Sequence, residues 1–387
     1  MKHIMILLLA LALGPGCDAE MPQSTVQFET CHRVQIIDSQ TGKPVRGLED
    51  MAVTENGQWV LASAYDRWST EDAAQTSATA LPQGGLYLIP LDQIALSGTH
   101  LRLNNIADKY AQTQDFHPHG IDIYTDDRGQ QTIAVINRRY AHKSGASSWD
   151  LETTLEVFTL EDQILHHKTT VASDQLCRTN DILALSTDVF LASRDHGTCA
   201  GIGLIAEDVF GLDRSRILQI SLGDQTTTAP QIRLAADGIA FANGLALDKR
   251  SSIVYVAATR GEHILTYRLK DLLTSEMAVP LAKTETKAGP DNLSWGPSGH
   301  LVAALHPSLW RLGLYRNRWL GRSRSPSEIT SFNLSDHTQT TLYRDASGDQ
   351  FSAATIGIQT DNLLLLGSVA ESGVMVCVKQ AAQNGET

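Results

Sequence analysis

The sequence predicts an all-β chain folded as a six-bladed β-propeller, and three observations carry that expectation. Six short apolar segments recur along the chain, each is entered from a turn-forming stretch, and helical patterning is sparse. The segments are "WVLASA" from Trp59, "TIAVIN" from Thr132, "VFLASR" from Val189, "IVYVAA" from Ile253, "LVAALH" from Leu301 and "LLLLGS" from Leu363.

The preceding stretches are "TENGQ", "TDDRGQQ", "LSTD", "LDKRSS", "GPSGH" and "QTDN", which supply the Asn, Asp, Gly and Ser of tight hairpins. Upstream of each turn stands another short segment: "DMAV", "IDIY", "ILAL", "LALD", "LSWG" and "TIGI". Six such hairpins, spaced by roughly 50 to 70 residues, fit blades of four strands each. "LKDLLTSE" from Leu269 is a short helix candidate, and "GLYLIPLDQ" from Gly85 reads as a strand followed by a turn. "SGASSWD" from Ser144 and "YRNRWLGRSRSPSE" from Tyr315 read as surface loops. No Pro/Ser-rich linker interrupts the pattern, so residues 20–387 are expected to form one domain.

Composition agrees with a globular chain, at 42% hydrophobic and 19% charged residues. The net charge of −12 repels phosphate backbones, and no basic run offsets it, so nucleic acid is excluded as a partner. The start, "MKHIMILLLALALGPGC", reads as a secretory signal within residues 1–19, with an apolar run from Ile4 to Leu13 too short to span a bilayer. Cys17 leaves two exits open, ordinary cleavage or a lipid-bearing cysteine that would tether the chain to a membrane. The expected location is therefore exported: periplasmic, secreted or lipid-anchored.

Export permits disulfides, and the remaining Cys31, Cys177, Cys199 and Cys377 allow three pairings. Joining Cys31 to Cys377 would close a ring and leave Cys177 and Cys199 to form a short loop. Four free buried thiols are the alternative.

The residues just ahead of the first strand of each unit carry the chemistry. In register they are Glu49-Asp50, His119-Gly120, Asn180-Asp181, Asn243-Gly244, Asp291-Asn292 and Ala353-Ala354. Propeller symmetry would bring them to one height around the axis. Glu49, Asn180, Asn243, Asp291 and Asn292 offer only hard oxygens, which suits calcium with its six to eight oxygen ligands. Cys and His are not clustered at the spacing zinc requires. A metal-free, hydrogen-bonded polar plug between the blades is the competing reading.

At these positions the chain resembles the paraoxonase/arylesterase family of calcium-dependent lactonases. The resemblance runs from Cys31 to Cys377 on "LEDMAV", "FHPHGI", "TNDILAL", "FANGLAL", "DNLSW" and "LHPS", in the family's order. It implies two calcium ions. One, at the active site, would be held by Glu49, Asn180, Asn243, Asp291 and Asn292. The other, structural, would be held by Asp50, Asp181 and the carbonyl of Ile121. It also implies a Cys31–Cys377 disulfide, Phe241 in the substrate pocket wall, and His119 as the base that activates water.

Two departures stand out. Arg138 replaces the family's second histidine, which leaves His142 or the Asp195-His196 pair as candidate assistants, and Cys177/Cys199 lies outside the family pattern. The implied reaction is attack of water, deprotonated by His119 or Asp291, on a lactone or aryl ester polarised by the ion. No G-x-S-x-G motif offers a serine nucleophile. A gluconolactonase-type propeller with one metal, and an exported binding propeller without catalysis, are the alternatives.

Overall fold

A computed structural model describes residues 30–76, 80–142, 149–223, 229–274, 276–320 and 323–379. The signal segment, Cys17 and residues 143–148 of the Ser144 loop lie outside the described residues. The chain forms six sheets in sequence around an axis. The inner hairpins are Leu48–Val53 with Trp59–Ala64, Pro118–Thr125 with Gln131–His142, and Thr179–Ala184 with Val189–Arg194. The second half of the ring has Ala242–Asp248 with Ile253–Ala258, Gly289–Trp295 with Leu301–His306, and Ala354–Gln359 with Leu363–Ser368.

Alternation explains why the second strands read as unbroken apolar runs. In Leu301–His306, Leu301, Ala303 and Leu305 pack toward the fourth blade with Tyr255 and Ile264. Val302 and Ala304 point the other way, into the sixth blade with Leu364 and Leu366. A strand buried on both faces needs apolar side chains at every position. Six such clusters, one per blade junction, complete the ring. Each fully buried Leu or Ile in them contributes roughly 1.5–3 kcal/mol.

Ring closure joins the ends of the chain. Thr30–Asp38 pairs antiparallel with Val374–Val378, and Cys31 faces Cys377 in that register and is bonded to it. Four blades have four strands, but the first sheet has three and the closing sheet five. The expectation of four strands throughout fails there because His100–Leu103 leaves the first blade and pairs in parallel with Gln35–Asp38.

Three helices of eight or nine residues were not expected, Arg67–Gln75, Ile202–Phe210 and Leu309–Arg316, nor was the single turn Asp108–Ala111. The third helix ends at Arg316, so only Tyr315 and Arg316 of the stretch read as a loop are helical. Each of the three follows the second strand of the first, third or fifth blade, so all three lie on one face of the ring. The turn expected after "GLYLIP" is also a short helix, Leu91–Leu96.

Candidate active site

The predicted axial residues coincide with an irregularity of the fold. In every blade the inner hairpin changes register near the start of its first strand: between Leu48 and Asp50, Pro118 and Ile121, Thr179 and Asp181, Ala242 and Leu245, Pro290 and Leu293, and Ala354 and Ile356. Extra residues in a bulge are left out of the ladder and are re-aimed. Those released here are Glu49, His119-Gly120, Asn180, Asn243-Gly244, Asp291-Asn292 and Thr355. A left-handed residue stands two positions earlier in four blades, at Gly47, Arg178, Phe241 and Ala353. The sixth member of the ring is therefore Thr355, not the Ala353-Ala354 pair expected from the sequence.

All of these residues are buried. Gly120 and Gly244 let neighbouring blades meet at the axis. A Cβ at Gly120 would lie 2.4 Å from the Asn180 carbonyl oxygen, and one at Gly244 would lie 2.6 Å from the Asn292 Cα. Asn243 donates through Nδ2 to Asp291 Oδ1 at 2.5 Å, and Asn292 donates to the Glu49 carbonyl at 3.1 Å. The Thr355 hydroxyl donates to that same carbonyl at 2.7 Å. With their amide nitrogens so engaged, Asn243 and Asn292 keep Oδ1 atoms that are buried and find no hydrogen-bond partner within the protein. A buried, orphaned amide oxygen is costly unless something electropositive meets it.

One layer on, three aspartates stitch consecutive blades. Asp50 accepts from Met51 N and, in the next blade, Ile121 N, both at 2.8 Å. Asp122 accepts from Ile123 N and Ala184 N, and Asp181 from Ile182 N and Leu245 N. Burial, with the charges of Asp122 and Glu49 adding to it, pushes Asp50 up to about 8 despite those donors. Burial and then the Asp50 charge raise Asp181 well above the ordinary carboxylate range. Among the described residues no group of three or more His, Cys, Asp or Glu stands at metal-ligand spacing. The axial set is instead mixed, with amides beside Glu49 and Asp291. Hard amide and carboxylate oxygens without thiolates fit calcium by type.

His119 sits at this level with Nε2 3.3 Å from Glu49 Oε1 and 3.4 Å from an Arg67 Nη2. Burial, then the charges of Arg138, Arg67 and Arg316, hold its pKa well below the usual 6.5, so the imidazole is neutral at pH 7. Its Nδ1 is buried without a partner. Arg67 binds Glu49 Oε2 at 2.9 Å. His306 Nε2 meets Asp291 Oδ2 at 2.7 Å.

Arg67 and His306 escaped the sequence reading because neither stands at the repeat position. His306 closes a second strand, where "LHPS" was its only signal, and Arg67 opens a helix that no periodicity announced.

Arg138, whose charge acts on His119, approaches Asp195 at 3.9 Å. His196 is held between Asp195 through Nδ1 at 2.5 Å and Asp208 through Nε2 at 2.9 Å. Burial disfavours its charge, but these two carboxylates outweigh burial and raise its pKa. With both nitrogens held by carboxylates, His196 is anchored rather than free to serve as a base. Its ring packs edge-on against Phe241 at 5.2 Å, and Arg260 lies 4.9 Å over that same ring. The side chain of His142 lies outside the described set. Cys177 is bonded to Cys199, three residues ahead of Asn180.

The family model described as Arylesterase matches residues 73–377. The chain is similar to serum paraoxonase/arylesterase 1 of Mus musculus, with 26% identity across 89% of this chain and 87% of that protein. It is also similar to serum paraoxonase/lactonase 3 of Homo sapiens, with 24% identity across 78% of this chain and 76% of that protein. A solved structure of a protein of unknown function from Dyadobacter fermentans matches with a TM-score of 0.50 and 9% identity, over 90% of this chain and 98% of that one. That likeness speaks for the fold alone.

Proposed function

The chain belongs to the arylesterase family, and from that premise we propose that it is a calcium-dependent hydrolase of lactones and aryl esters. Its site is the axial ring of bulge residues. The observation that carries the reading is the pair of orphaned amide oxygens, Asn243 Oδ1 and Asn292 Oδ1, buried beside Asp291 and Glu49. Glu49, Asn180, Asn243, Asp291 and Asn292 would hold one calcium ion. Asp50, Asp181 and the Ile121 carbonyl would hold a second, where two buried carboxylates repel one another. Calcium supplies Lewis-acid polarisation of an acyl oxygen when bound.

The residues of the chain supply the rest. Arg67 orients Glu49 through Oε2, while Oε1 faces His119 Nε2 at 3.3 Å. His306 orients Asp291 through Oδ2, while Oδ1 accepts from Asn243 Nδ2. Neutral His119 takes the proton of the water that attacks the acyl carbon. Once charged, it gives that proton to the alkoxide released as the acyl C–O bond breaks, a transfer that the field of Arg138, Arg67 and Arg316 favours. Phe241, half-buried beside His196, forms the apolar wall of the substrate pocket.

Two disulfides support an exported chain. Among the described residues no helix is long and apolar enough to cross a membrane. The reading is tested by assaying phenyl acetate and a γ-lactone with calcium and with chelator. Hydrolysis that needs calcium is expected. Folded, calcium-loaded protein that cleaves neither would leave a binding propeller instead.

A further inference from the structure

Three arginines from separate parts of the chain set their charges around His119. Arg67 opens the helix of the first blade, Arg138 lies on the second strand of the second blade, and Arg316 ends the helix of the fifth blade. The backbone positions are fixed. The Arg138 N–H donates to the His117 carbonyl at 3.0 Å, and the Arg316 carbonyl accepts from Trp68 Nε1 at 2.9 Å. Trp68 in turn packs edge-on against Tyr315 at 5.3 Å, which ties the two helices together.

The three guanidinium groups are not equally satisfied. Arg67 is bonded to Glu49 at 2.9 Å. Arg138 is 95% buried, yet its guanidinium makes no hydrogen bond among the described residues, and its nearest carboxylate oxygen, that of Asp195, stands at 3.9 Å. That oxygen belongs to a carboxylate already committed to His196. Arg316 is half-buried, and its guanidinium has no hydrogen bond or ion pair among the described residues. Glu71 is the remaining carboxylate in the field of Arg67 and Arg316, and it pairs with neither. Buried guanidinium groups without acceptors are costly, and a substrate that excluded water from them without offering oxygens would raise that cost.

We infer that the natural substrate carries, beside the ester or lactone bond, an anionic oxyacid group that Arg138 and Arg316 receive. A carboxylate and a phosphate share the pair of oxygens that a guanidinium fork accepts in two parallel bonds. The inference rests on the hydrolase reading and narrows it, because a neutral lactone offers neither arginine an anion to bind, whatever their charges do at His119.

The test compares a γ-lactone bearing a free ring carboxylate with its methyl ester, at pH 7 and saturating calcium. The acid is expected to exceed the ester in kcat/KM by roughly tenfold to a hundredfold. Arg316→Gln and Arg138→Gln should each bring that ratio toward one, and rising salt should lower it in the wild type. Arg316→Lys, which keeps the charge, should retain part of the preference and guards against a loss caused by misfolding. Propionate and inorganic phosphate, as competitors of phenyl acetate hydrolysis, tell the two anions apart by which inhibits more strongly. If the methyl ester is cleaved as well as the acid and salt leaves the ratio unchanged, the anionic-substrate inference is overturned while the hydrolase reading stands. If neither is cleaved and phenyl acetate is untouched, the hydrolase reading itself fails.

Discussion

Asn292, in the fifth blade, donates through Nδ2 to the main-chain carbonyl of Glu49 in the first, reaching past the sixth blade at 3.1 Å. One side chain thus ties opposite stretches of sequence across the axis and leaves its own oxygen buried and unmet. The strapping role and the proposed ligand role fall on different atoms of the same amide, so a single substitution tests both. Asn292→Leu removes one hydrogen bond, a loss of about 1 kcal/mol in the metal-free protein. Calcium is expected to raise the melting temperature of the wild type, and the variant should lose most of that rise. Thermal melts with and without calcium separate the two effects.

His119→Gln keeps a polar side chain of similar reach and removes the base. The expected result is a fall in kcat of about 10²–10⁴ with KM and calcium content little changed. Stopped-flow or steady-state assays on phenyl acetate measure it. Retained kcat would move the proton-accepting role to the Asp291–His306 pair.

The two disulfides should differ in weight. Cys31–Cys377 spans 346 residues and Cys177–Cys199 spans 22. On the chain-entropy account the longer loop contributes about 2 kcal/mol more. Cys31→Ser should therefore lower the denaturation midpoint further than Cys199→Ser. Equal losses would show that strain or local packing governs the effect.

Glu156 gives the acid limb of stability. Burial alone would raise it, but hydrogen bonds from His167, Thr154, Thr170 and Tyr110 outweigh burial and hold it down to about 2, against 4.5 for the free side chain. A depressed carboxylate stabilises the fold above its unfolded pKa, and that contribution is lost as pH falls from about 4.5 toward 2. Its size is about 3 kcal/mol. Urea unfolding at pH 6 and pH 3 should show a smaller drop for Glu156→Gln than for the wild type.

Much of this was legible in the sequence, for a physical reason. Strands such as Trp59–Ala64 and Leu363–Ser368 are buried on both faces and bounded by turns, so composition alone marks their ends. The axial polar residues were legible because bulges repeat at one place in each blade. What escaped detection lacks such a pattern. Thr355 follows two alanines that mimic the repeat position. The Leu309–Arg316 helix mixes apolar and basic residues without a clean stripe, and Arg67 acts through tertiary proximity to Glu49 and His119. The strand exchange at His100–Leu103 depends on a partner more than 60 residues away, which no local window contains.

The most direct measurement of the central claim is the number of calcium ions bound per folded chain, read by native mass spectrometry for the wild type and for Asp291→Ala. Two ions in the wild type and one in the variant, with esterase activity lost in step, are predicted. The same number in both proteins would contradict an axial ion held by Asp291 and its neighbours.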